Sequence, residues 1–224
     1  MKWRTQYPWN LTPKQAMQLQ VELRSRVVKR DDFGEIRLIA GLDAAFDKER
    51  RRAYGAVVIL EYPSLVEVER QSAITKLRFP YVPGLLSFRE LPVLLEVMGK
   101  LKHEPDLLML DGQGYAHPRR MGLACHAGIV LDKPSIGCAK SRLIGEADDP
   151  PNEFSAWTPL TDEGEVIGAV LRTRANVKPI YVSIGHRVSL ESAITIVAAC
   201  CDGKRIPKPT READRFVARV KRSP

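Results

Sequence analysis

Asp43 and Asp111 are acids in apolar surroundings. The first sits inside "IAGLDAAFD", and the second closes the run "DLLMLD". A carboxylate there must be paired, ligated or at an opening of a sheet. Strand ends in open α/β sheets border the crevice where ligands bind. If the two strands are neighbours, the carboxylates meet at one edge as hard oxygen ligands. Such ligands suit Mg²⁺, with Mn²⁺ as a substitute. The plainer alternative is that each acid ends a strand or caps a turn. Glu90, in "SFREL", either answers the N-terminus of a helix opening at Pro92 or joins the acids; spacing does not separate these.

"DGQGYAHPRR" continues from Asp111 with two glycines, a histidine and paired arginines. Gly112, like Gly84, can bring backbone polar groups against a flat ligand. Arg89, Arg119 and Arg120 are candidate phosphate contacts, with a buried acid as the other use of the pair at 119 and 120. Lys140 follows "SIGCA" at a strand end, suited to a phosphate or the attacking water, or simply to solvent. His186, between a strand and a Ser-capped helix, and His117, six residues after Asp111, are candidate proton carriers near neutral pH, though most loop histidines carry none. His126 falls mid-helix and suits packing; His103 suits solvent. Tyr81 lies between Pro80 and Pro83 in "FPYVPGLLSF". A stiff loop presenting an aromatic can wedge into a base stack, or the ring can plug a core.

The elements that must position these residues follow from pattern. Thr12, Pro13 and Gln15 open a helix with a capping box. "IRLIAGLDAAF", "AYGAVVILEY" and "LVEVERQSAITKL" read as three strands of an antiparallel meander. Pro92 should start a helix striped by Leu94, Val97, Met98 and Leu101. "DLLMLD" is a strand buried on both faces, followed by a helix from about Arg119 to Leu131 and a strand at "SIGCA". "GEVIGAVLRT" and "PIYVSIG" are further strands. Ser189 caps a helix through Cys201, and Thr210 a last one with Ala213, Phe216, Val217 and Val220 on one face. A meander followed by alternating helix and strand gives an α/β fold: a mixed sheet with helices on both faces, as in a ribonuclease H-like domain.

A chain of 224 residues, 44% hydrophobic and 28% charged, suits one well-buried domain over 1–224. Its net charge of +8 and pI of 9.4 favour a polyanionic partner, nucleic acid before anionic membrane. No apolar window approaches a membrane span. "MKWRTQYPWN" lacks a secretory signal's apolar stretch, and Cys125, Cys138, Cys200 and Cys201 have no zinc-type spacing. A cytoplasmic protein with reduced thiols and no membrane partner is expected. A monomer is expected too, although no residue speaks to assembly.

"IAGLDAAFD", "PYVPGLLSFRE", "DGQGYAHPRRMGLACHAG", "GCAKSRLIG", "GHRVSLESA" and "RIPKPTREAD" stand in an order and spacing that resembles the endonuclease V family, from about Thr12 to Phe216. The resemblance implies a ribonuclease H-like, Mg²⁺-dependent enzyme. It would recognise deoxyinosine and cut the second phosphodiester bond on its 3′ side, leaving a 3′-hydroxyl and a 5′-phosphate. By that likeness Asp43 and Asp111 hold the metal and Glu90 completes the acidic cluster. His186 assists with water or leaving group, Lys140 steadies the scissile region and His117 supports the site. Tyr81 is the wedge, and backbone around Gly84, Leu86 and Gly112 forms the pocket for the flipped base. Many relatives read "DGHG" where this chain has Gln113, a change that bears on rate or metal preference but leaves Asp111 and both glycines intact.

The rival readings are an inosine-specific endoribonuclease, another ribonuclease H-like nuclease such as a resolvase, a non-catalytic nucleic-acid binder and a phosphatase. No residue announces which sugar is read. The wedge loop argues against a resolvase and a phosphatase, and the intact acids argue against a mere binder.

Overall fold

A computed structural model describes residues 9–222. The N-terminal stretch judged to lack a secretory signal lies outside them, apart from Trp9 and Asn10. Strands β1 (Leu38–Asp47), β2 (Arg52–Glu61) and β3 (Glu67–Lys76) form the expected antiparallel meander. β4 (Leu107–Leu110) and β5 (Ser135–Ala139) continue the sheet in parallel beside β1. β6 (Trp157–Asp162), β7 (Glu165–Leu171) and β8 (Ile180–His186) extend it antiparallel. The order is β3-β2-β1-β4-β5-β8-β7-β6, a mixed sheet of the ribonuclease H-like class.

Helices cover both faces. α2 (Leu86–Met98) and α3 (Leu123–Leu131) pack Leu94, Val97, Ala127 and Val130 against Leu42 and Leu108. On the opposite face α4 (Leu190–Ala199) and α5 (Lys208–Arg222) bring Val197 and Ala213 to Ile39 and Met109. α1 (Pro13–Leu23) opens with the expected capping box between Thr12 and Gln15. No helix among the described residues is long and apolar enough to cross a membrane. The four cysteines are free.

Several boundaries differ from expectation. Pro92 lies inside α2 rather than at its start, so Glu90 is a mid-helix residue. Starting at Leu86 lets Leu85, Phe88 and Leu91 be buried. Each such burial contributes roughly 1.5–3 kcal/mol, which together outweighs the roughly 3 kcal/mol cost of a proline inside a helix. α3 begins at Leu123 rather than near Arg119, because Arg120 holds φ 55° and Gly122 is extended. Thr210 does not cap α5; it lies fully buried in the first turn and donates to the Pro207 carbonyl at 3.2 Å. β6 was not expected. It is an edge strand carrying Pro159, the position where a strand tolerates a missing donor.

Two close approaches set the geometry of the site. A side chain on Gly41 would strike the Pro209 backbone, so this glycine lets α5 lie directly on β1. A side chain on Gly137 would strike the backbone of Gly112, Gln113 and Gly114. The "DGQG" turn therefore lies flat across β5.

Candidate active site

Alternation along two parallel strands brings the first two acids together. Gly41 pairs with Met109 and Leu42 with Leu110, so Asp43 and Asp111 follow side by side. The Asp111 amide donates to the Leu42 carbonyl at 3.4 Å. Successive side chains point to opposite faces, so both acids take the face of Ile39 and Met109, under α5. Glu90 reaches the pair from α2. It is 6% exposed, and its Oε2 is buried without a hydrogen-bond partner.

Lys140 leaves the end of β5 and joins them, its Nζ 2.5 Å from Asp111 Oδ2. The same ammonium stands 3.2 Å from Asp214 Oδ2. Asp214 escaped the reading of single residues. Its signal lay in "RIPKPTREAD", where it directly follows Ala213 of α5's apolar stripe.

The electrostatics follow from this crowding. Burial, then the charges of Asp111 and Asp214, push the Asp43 carboxyl up to about 7. Glu90 is pushed well above the usual carboxylate range by burial and by Asp43 and Asp111. Burial also raises Asp111, although the Lys140 hydrogen bond opposes the rise. For Lys140, partial burial is outweighed by Asp111 and Asp214, and its ammonium is held more firmly than usual. Mutually repelling, desolvated oxygens that the nearby Lys140 and Arg89 charges relieve only in part are a donor set for a hard cation. The partnerless Glu90 Oε2 fits that use. Among the described residues no group of three or more His, Cys, Asp or Glu already stands as a ligand cage.

Asp111 and Lys140 open onto a cleft of about 370 Å³ that is also lined by Tyr81, Gly84, Leu86, Gly112 and His117. Tyr81 is 67% exposed at its mouth. Gly84 holds φ 75°, a conformation costly for other residues. Its carbonyl accepts from Gln20 Nε2 at 3.0 Å, Arg119 Nη2 at 2.8 Å and His117 Nε2 at 2.9 Å. His117 Nδ1 accepts the Arg119 amide at 3.2 Å, so the proton sits on Nε2. Burial and Arg119 lower its pKa to about 4. At neutral pH His117 is an uncharged clamp on the loop carrying Tyr81. Gln113 lies in the cleft wall, its Nε2 donating to the Ser141 carbonyl at 3.0 Å and its Oε1 buried without a partner.

One expected role is corrected. His186 does not join the acids. It pairs with Ser135 at the start of β5, whereas Lys140 leaves that strand's far end, about 16 Å away at 3.3 Å per residue. Its Nδ1 accepts the Val28 amide at 3.3 Å, and burial followed by Arg187 lowers its pKa. An antiparallel strand carried this histidine to the wrong end of the sheet. The three arginines, expected to touch phosphates, each have partners inside the molecule. Arg89, 7% exposed, donates to the Phe79 carbonyl at 2.8 Å and stacks over Phe46. Arg119 also binds Gln20 Oε1 at 2.6 Å. Arg120 pairs with Asp162 at 2.8 Å and Glu165 at 3.0 Å, the acid-partner alternative. His126 is fully buried against Ser87, and exposed His103 bonds Glu69.

Comparison with known proteins agrees with the chain's own geometry. The family model described as Endonuclease V matches residues 21–215. An Endonuclease V of Roseiflexus castenholzii is 49% identical over 218 residues, covering 97% of each chain. The crystal structure of Endonuclease V from Streptomyces avermitilis superposes with a TM-score of 0.91 at 39% identity, covering 95% of this chain and 94% of that one. Endonuclease V of Ciona intestinalis, solved as a D234N variant with a 23mer DNA containing an inosine followed by a ribo-adenosine, gives 0.83 at 30% identity, covering 94% and 98%.

Proposed function

The chain belongs to the endonuclease V family and is a nuclease, and from that premise we propose that it cuts DNA at deoxyinosine, hydrolysing the second phosphodiester bond 3′ to the lesion. The observation that carries the reading is the conjunction of the Asp43–Glu90–Asp111 cluster with a cleft that has an exposed tyrosine at its mouth. The Ciona relative bound to inosine-containing DNA supports the same substrate.

Asp43, Asp111 and Glu90 would hold Mg²⁺, for which Mn²⁺ substitutes. When bound, such an ion neutralises phosphoryl charge and makes water a better nucleophile. Lys140 Nζ holds the Asp111 carboxylate and presents positive charge to the scissile phosphate. Asp214, across the same ammonium, fixes Lys140 from the α5 side. Water attacks phosphorus in line, the bond to the 3′-oxygen breaks, and the departing oxygen takes a proton. The products are a 3′-hydroxyl and a 5′-phosphate.

Recognition rests on backbone and shape. Tyr81 fills the gap left in the stack, and the backbone around Gly84, Leu86 and Gly112 receives the flipped hypoxanthine. Inosine pairs weakly, so its extrusion costs less than that of a normal base. Guanine differs by its 2-amino group, which a close backbone wall excludes.

A labelled duplex with one deoxyinosine, treated with Mg²⁺ or EDTA and with wild type or Asp111→Ala, tests the reading. A Mg²⁺-dependent nick at the second 3′ bond, lost in the variant, is expected. An intact duplex beside cleaved inosine-containing RNA would overturn the DNA assignment.

A further inference from the structure

β1 runs four residues beyond Asp43 before turning at residues 48–51 into β2. At 3.3 Å per residue the hairpin overhangs the acids by about 13 Å, at the sheet end where Asp111 and Lys140 lie. The tip and the end of β3 carry Lys48, Arg51, Arg52, Lys76 and Arg78, all exposed. Among the described residues none of the five has an acid partner. Of the nearby acids, Asp47 at the end of β1 accepts the Arg50 amide at 2.9 Å and pairs with its guanidinium, and Glu49 in the turn is exposed.

Arg52 lies opposite Asp47 in the β1–β2 ladder and opposite Lys76 in the β2–β3 ladder, so on the β3 side like charges face each other, an arrangement that is destabilising. The Leu77 amide donates to the Arg51 carbonyl at 2.8 Å, tying the segment that bears Arg78 to the tip. A groove of about 300 Å³ between them is lined by Lys48, Arg51, Arg78 and Tyr81. Tyr81 also lines the cleft onto which Asp111 opens, so this residue borders both.

We propose that the basic hairpin groove is a second DNA-contact surface, gripping the phosphates of the duplex that continues past Tyr81, away from the lesion cleft. The inference rests on the DNA reading above. A wedge needs a stack to part, so the nucleic acid on its far side is paired. Cations on two adjacent chain segments form a broad track for a duplex backbone. Binding of this kind is independent of sequence and falls steeply with salt.

The test compares wild type with the triple variant Lys48→Ala, Arg51→Ala, Arg78→Ala. Exposed substitutions of this sort leave stability within about 0.5 kcal/mol per site. Fluorescence anisotropy in EDTA across a salt series uses two probes: a duplex several turns long with a central deoxyinosine, and a single-stranded deoxyinosine heptamer. For the duplex, the plot of log affinity against log salt should flatten by about 2–3 in slope, at roughly 0.9 per phosphate contact. Low-salt affinity should fall at least about ten-fold, with heptamer affinity held within about two-fold. Unchanged duplex slopes, or an equal loss on both probes, would overturn the groove. Wild-type nicking at deoxyinosine is scored separately. A flattened slope without nicking keeps the groove and removes the endonuclease reading, whereas nicking with unchanged slopes does the reverse.

Discussion

Asp43→Asn should stabilise the metal-free protein at alkaline pH, and the size of the gain follows from the acid cluster. The Asp43 carboxyl titrates at about 7 in the folded chain against an ordinary value of 3.8. A folded pKa raised above the unfolded one contributes stability below the unfolded value, and that contribution is lost as pH rises through the folded value. The window therefore runs from about pH 4 to about pH 7. About three pH units at ~1.4 kcal/mol each set a ceiling of ~4 kcal/mol. Local relaxation and water entry bring the expected loss to about 2–3 kcal/mol. An amide has no charge to desolvate, so above about pH 7 the variant should melt higher by roughly 5–10 °C for a chain of this size. Near pH 3 the two proteins should melt together, because Asp43 is then protonated in both the folded and the unfolded chain, and by about pH 5 roughly a third of the difference should have opened. Calorimetry of the metal-free proteins from about pH 3 to about pH 8 reads this directly. Added Mg²⁺ should then raise the wild-type melting temperature more than the variant's, by mass action on the folded state. A constant difference between the proteins at every pH in EDTA would refute the reasoning, since it would mean that the carboxylate's charge is not what is being desolvated.

The remaining expectations concern single residues around the cleft. Tyr81→Ala should weaken binding of deoxyinosine duplex about ten- to a hundred-fold, the worth of one aromatic stack, while its melting temperature stays put; unchanged affinity by anisotropy would remove the wedge. Gly84→Ala should cost about 1–2 kcal/mol in denaturant melts because its φ of 75° disfavours a side chain, and it should raise KM as the His117 and Arg119 clamp loosens. Asp214→Asn should cut the single-turnover rate about a hundred-fold, whereas His186→Gln should stay within about two-fold; the reverse ranking would return His186 to the chemistry.

The sheet was legible because its strands are long, apolar and separated by turn residues. β1 through β3 needed only β-like runs set apart by short polar or Pro-containing joints, and β4 only its unbroken apolar run. What was hidden came from tertiary choices. Nothing local to "SFRELP" says that a helix will accept Pro92 in order to bury Leu85 and Phe88. Nothing in "WTPLTD" marks an edge strand once a proline interrupts it.

The site shows the same division more sharply. Asp43 and Asp111 could be read from sequence because a charge inside an apolar strand contradicts its surroundings, and that contradiction is local. Asp214 raises no such contradiction: it is half exposed on a helix rich in charges. Its place depends on Gly41, some 170 residues earlier in the chain, having no side chain to hold α5 off β1. His186 erred in the opposite sense, since a histidine at a strand end looks catalytic until strand direction is known. β8 runs against β5, and that single reversal exchanges one end of the sheet for the other. Residue type announced which groups are chemically costly to keep, but only the register and direction of the strands decided which of them meet. Here the ones that meet are oxygens that repel one another, and a folded chain retains such a cluster when a ligand's charge offsets the cost.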